Sequence, residues 1–105
     1  MSQSGCTAAE PYALRVIGDS MEPEFHDGHI IIVDPGMPAL DGAYVVIDYA
    51  GDTTLRQIRI DGAQRHLKPL NDNYETVEIT GPCHIHGVVI QRATPGRRRE
   101  TRHYA

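Results

Sequence analysis

The chain has 105 residues, 40% of them hydrophobic and 23% charged, with a formal net charge of −4 and two cysteines. That length makes one domain able to bury about 65% of its unfolded surface, and no apolar run approaches the roughly 20 residues that a spanning helix needs. With no basic and apolar leader and no disulfide framework, the expectation is a soluble, cytoplasmic protein that meets no membrane and keeps Cys6 and Cys83 as free thiols.

Residues 1–11, rich in Ser, Thr, Ala and Gly without periodicity, read as a flexible leader or linker remnant. Residues 12–17 are a strand former that stops at Gly18, and a single helical turn is expected around residues 22–25. Residues 29–33 are a β-branched run of strand length closed by Asp34-Pro35-Gly36. Residues 43–49 follow and end at Ala50-Gly51-Asp52; residues 53–60 come next, and Asp61-Gly62 makes a hairpin turn into residues 64–70. A last strand is expected over residues 84–91. Short strands at this spacing predict a mostly β fold, a twisted and partly closed β-barrel with at most a helical turn.

Charge divides the chain. Residues 1–91 hold five basic against thirteen acidic side chains, a balance of −8, whereas residues 92–105 hold five arginines against Glu100, a balance of +4. An acidic body argues against phosphate contacts by the folded part. The basic tail, residues 93–105, reads as a disordered solvated end, with contact to DNA or an acidic partner as the other reading.

Gly18-Asp19-Ser20-Met21-Glu22-Pro23 organises the rest. A strand ending in a tight turn can hold the Ser20 hydroxyl forward with the N–H groups of Asp19, Ser20 and Met21 beside it, the layout of a nucleophile and its oxyanion hole. Turn chemistry alone also explains a Gly-Asp-Ser sequence.

Together with Asp27-Gly28, Val33-Asp34, Asp41-Gly42-x-x-Val45-Val46, Leu67-x-Pro69-x-Asn71-x-x-Tyr74 and Ile85-x-Gly87-Val88-Val89, this turn resembles the LexA-like peptidases. These are the C-terminal domains of SOS and phage repressors together with UmuD, and signal peptidases are more distant relatives. The resemblance implies a peptidase-fold domain over residues 12–92 in which Ser20 takes the nucleophile position and a lysine is the general base. That lysine belongs in Leu55-Arg56-Gln57-Ile58, and Arg56 occupies its place. A guanidinium with a pKa above about 12 stays protonated and only donates. The scissile Ala-Gly or Cys-Gly pair of the family is also missing upstream of Ser20.

The resemblance therefore implies a module of a phage-type or SOS-type transcriptional regulator that serves dimerisation and is silent or impaired as a catalyst. The alternative is a working serine peptidase cutting a peptide bond through Ser20. The family dimerises through its C-terminal strand region, which points to a homodimer contact at His84, Ile85, His86, Val88 and Ile90. DNA would be met only through a separate domain, no cofactor is expected, and a peptide segment could enter the Ser20 cleft.

Strand alternation places Thr54, Arg56, Ile58 and Ile60 on one face. A cation among isoleucines wants a partner, and the expectation is that Arg56 points at the Ser20 turn and pairs with Asp19 or Asp48; the other reading is a side chain snorkelling to solvent at the sheet rim. Cys83-His84-Ile85-His86 resembles metal chemistry, but Cys83 faces away from the two histidines in a strand and no second cluster supports it, so no metal is expected. His26 and His29 flank Asp27-Gly28, and no acid that would orient a Ser–His pair is identifiable.

Overall fold

The computed structural model describes residues 10–94 and 97–104, with residues 97–100 as backbone. The leader expected over residues 1–11, with Cys6, lies almost wholly outside the described residues. Eight strands form: β1 Tyr12–Arg15, β2 Ile30–Asp34, β3 Tyr44–Tyr49, β4 Asp52–Asp61, β5 Gln64–Lys68, β6 Val77–Glu78, β7 Cys83–Thr94 and β8 Arg97–His103. They make one antiparallel sheet in the order β1-β2-β7-β3-β4-β5-β6, with β8 also on β7. The sheet does not close on itself, and the fold is mostly β. Among the described residues no helix is long and apolar enough to cross a membrane.

Strand alternation splits the core between the two faces of the sheet. On β3, Val46 belongs to a cluster with Val16, Met21, Phe25, Ile31, Val33 and Val89. Its neighbours Val45 and Ile47 belong to a second cluster with Ile58, Leu67, Ile79 and Val88. The continuous apolar run Val-Val-Ile in β3 thus marks a strand covered on both faces, whereas in β2 only the alternate residues Ile31 and Val33 are buried, both in the first cluster. Each fully buried aliphatic of this kind stabilises the fold by about 1.5–3 kcal/mol.

β7 is the hub, pairing with β3 through its first half and with β2 and β8 through its second. The crossing requires Gly87. A Cβ there would sit 2.6 Å from Val33 Cγ1 and 2.9 Å from both the carbonyl carbon and the oxygen of Asp34, and the β3 register shifts by a bulge beside it, between Val46 and Ile47.

In the basic tail, read from the sequence as a disordered end, residues 97–103 form a strand. Its backbone pairs as β8 with β7, matching Gln91 to His103 and Thr94 to Arg97. Tyr104 then inserts against Phe25 and Tyr44, with ring centroids 5.3 Å from each. Its hydroxyl donates to Glu24 Oε2 at 2.6 Å, and Arg102 Nε lies 3.1 Å from the same oxygen. The arginine run conceals a strand because its anchor is a single aromatic beyond the basic residues.

Candidate functional site

β1 delivers the chain to the serine turn. Gly18 takes a φ of +89°, which strains any residue with a side chain, and its N–H donates to Asp27 Oδ1 at 2.7 Å. The Asp27-Gly28 turn thereby holds the strand end, and Gly28 N–H donates to the Val16 carbonyl at 2.8 Å. After Ser20 the chain coils once. Glu22 N–H donates to the Asp19 carbonyl and Phe25 N–H to the Met21 carbonyl, while Met21 and Phe25, 2% and 0% exposed, anchor the coil in the core.

A second segment pins the turn from outside. Asn71 donates its N–H to the Ser20 carbonyl and its Nδ2 to the Asp19 carbonyl, both at 3.0 Å. Tyr74 donates its hydroxyl to Asp19 Oδ1, which raises the phenol above its usual range, the hydrogen bond to that carboxylate contributing most. Asn71 and Tyr74 belong to the motif that resembled the family, but their part in gripping the serine turn had no signal in spacing or composition.

The hydroxyl itself meets Arg56. Nη1 donates to Ser20 Oγ at 2.8 Å and to the Leu55 carbonyl at 2.7 Å. Arg56 does reach the turn, but the expected carboxylate pairing is wrong. Asp19 is taken by Tyr74, and Asp48 accepts from Thr53 Oγ1 and from His86 Nε2 at 2.9 Å. Among the described residues no acid is in ion-pair range of Arg56. The guanidinium is half-buried, which lowers its pKa from the ordinary value while leaving it a donor; the exposed half keeps it hydrated, so a formal counter-charge is not obligatory.

The two side chains stand in a cleft of about 350 Å³ walled by Leu14, Ile17, Thr54, Leu55 and Tyr74. Chemically the arrangement can donate hydrogen bonds. Among the described residues the one hydrogen bond to the hydroxyl is the Arg56 N–H pointing at Oγ, and the histidines near the turn are engaged elsewhere: His26 N–H donates to His29 Nδ1, and His26 Nδ1 lies 3.5 Å from Glu22.

The residues expected at an interface lie on β7. His84 is exposed, Ile85, His86 and Ile90 are half-buried, and the His84 and His86 rings meet edge to face at 4.7 Å. Val88, at 5% exposure, is committed to the core, in the cluster with Val45 and Ile47. Cys83 Sγ accepts from Arg65 Nη2 at 3.8 Å, away from the histidines.

Comparison with known proteins adds to this geometry. Residues 2–90 match the profile of the Peptidase S24-like family. The chain is 45% identical over 87 residues to the HTH-type transcriptional regulator for conjugative element R391 of Providencia rettgeri, covering 76% of this chain and 40% of that protein. It is 44% identical over 90 residues to prophage repressor CohE of Escherichia coli K12, covering 82% and 40%. With repressor protein C2 of Salmonella phage P22 the identity is 37% over 87 residues, covering 77% and 40%. The chain thus spans about two fifths of the length of these curated relatives.

Proposed function

The chain belongs to the Peptidase S24-like family, and on that premise we propose that it is the peptidase-fold module of a phage-type or SOS-type transcriptional regulator, serving self-association and silent as a protease. The contact that carries this reading is Arg56 Nη1 on Ser20 Oγ at 2.8 Å. Attack on a carbonyl requires the hydroxyl proton to leave for a base whose pKa lies near the working pH. A lysine ammonium can be desolvated until it deprotonates near neutrality; a guanidinium cannot, and here it donates toward the very lone pair that must attack. Burial pushes Arg56 in the right direction, but from a starting point above about 12.

Self-association is proposed through β7. β2 pairs with β7 from Val88 onward, so the edge of residues 83–87 on that side is unpaired among the described residues and is open to a second copy. In a longer protein, DNA would be read by a separate domain, as the names of the relatives suggest.

The test is incubation with a LexA-type loop peptide from pH 7 to pH 10, read by mass spectrometry. Wild type and Ser20→Ala are expected to leave the peptide intact, and Arg56→Lys to gain Ser20-dependent cleavage. Cleavage by wild type that Ser20→Ala abolishes would establish the active-peptidase reading instead. Sedimentation equilibrium checks the association, which His84→Glu is expected to weaken by setting like charges against one another across the two-fold contact.

A further inference from the structure

On the premise that Ser20 does not attack, we propose that the Ser20–Arg56 cleft binds the C-terminal carboxylate of an extended peptide added along the free edge of β1.

The electrostatics point to an anion. Arg56 is half-buried in a largely apolar cleft and, among the described residues, donates to neutral acceptors alone, the Ser20 hydroxyl and the Leu55 carbonyl. Arg15 is also among the residues that line this cleft, in a body whose balance over residues 1–91 is −8. Asp19, the acid among the cleft's lining residues, has Oδ1 engaged by the Tyr74 hydroxyl. A guanidinium with unused planar donors takes a carboxylate better than any neutral group.

The donors are arranged for a main-chain carboxylate. Among the described residues the N–H groups of Ser20 and Met21 have no assigned backbone acceptor, and the Ser20 hydroxyl, accepting from Arg56, is left a proton to give. A carboxylate carbon where a peptidase would hold its carbonyl carbon offers one oxygen to this N–H pair and the other to Arg56 and the hydroxyl. Such a group has the product's geometry, and it binds with no covalent step.

The edge supplies the remaining contacts. β1 ends the sheet order and pairs only with β2 among the described residues, so its outer N–H and C=O groups are available for strand addition. Leu14 and Ile17 rim the cleft at 38% and 86% exposure. Together they present apolar surface at the cleft's rim, which apolar side chains of an added strand would cover. The strand runs into the turn at Gly18, so a chain paired with β1 reaches Ser20 with its backbone, which favours a chain end over an acidic side chain.

The experiment is fluorescence anisotropy with N-terminally labelled, Val- and Ala-rich peptides of about six residues. One ends in a free carboxylate, one in an amide, and one in an amide preceded by Asp. The free acid is expected to bind wild type about tenfold more tightly than the amide, which corresponds to about 1.4 kcal/mol, and the Asp peptide to resemble the amide. In Arg56→Gln, which keeps a donor for Ser20 and whose folding is checked by thermal melting, the acid and amide are expected to converge. Equal binding of acid and amide by wild type, no saturable binding of the acid, or a preference that survives Arg56→Gln would each overturn the proposal. An Asp peptide as tight as the free acid would do the same. If the Gln variant fails to fold, the wild-type comparison alone decides. Mass spectra of the recovered peptides separate the premise from the proposal: Ser20-dependent hydrolysis removes the silent reading whatever the carboxylate preference.

Discussion

Tyr104 is the sharpest place to perturb this fold. Tyr104→Phe removes one hydrogen bond, the hydroxyl to Glu24 Oε2 at 2.6 Å, and keeps the ring between Phe25 and Tyr44. A bond to a charged acceptor contributes about 1.5–3 kcal/mol. Because Arg92 and Arg102 still hold Glu24, the low end applies, about 1.5 kcal/mol. Tyr104→Ala also loses two aromatic pairs at about 1 kcal/mol each and part of the apolar burial of a half-buried ring, for a total of about 4 kcal/mol. Against a domain stability of about 5–15 kcal/mol that is a large fraction. Urea titration of the three proteins measures both steps. A Tyr104→Ala variant within about 0.5 kcal/mol of wild type would refute the claim that the tail is part of the core, and equal losses in Phe and Ala would show the ring to be idle.

Three further outcomes follow from the same contacts. Gly87→Ala forces a Cβ into Val33 and the Asp34 backbone, and is expected to cost at least the 1–3 kcal/mol typical of overpacking, seen as a lowered urea midpoint at unchanged slope. Asn71→Ala removes the Nδ2 contact to the Asp19 carbonyl; it is expected to destabilise by about 1 kcal/mol and to raise amide exchange of the serine turn above that of β3. Asp41 is held below its ordinary value of 3.8 first by the Ile60 N–H and then by Arg59. A depressed carboxylate stabilises above its unfolded pKa and loses that contribution as pH falls through the folded one. The melting-temperature advantage of wild type over Asp41→Asn is therefore expected to be full at pH 5 to 7 and to vanish below the carboxylate range; an advantage independent of pH would contradict it.

Much of the architecture was legible locally. The expected runs at 29–33, 43–49, 53–60 and 64–70 differ from β2, β3, β4 and β5 by a residue or two at their ends, because β-branched runs bounded by Gly, Pro and Asp carry their own punctuation. β6, two residues long, had too little sequence to signal itself. The last strand extends past residue 91 to Thr94 because β2 pairs with Arg92 and Ala93 and β8 with Arg92 and Thr94, and the arginines of β8 look solvated when the partner strand is out of view.

The sequence by itself determined most of the strand-forming runs, the serine turn and the presence of an arginine where the family keeps a lysine, because alternation, turn residues and motif order are local properties of the chain. Only the tertiary structure decided that Arg56 meets the Ser20 hydroxyl with no acid beside it among the described residues, that Asn71 and Tyr74 grip the turn, and that Tyr104 closes the core. Those partners stand 36, 52, 55 and 80 residues apart in the chain. Which donor finds which acceptor over such distances is set by how the sheet curls and where its strands cross, and neither propensity nor spacing carries that information.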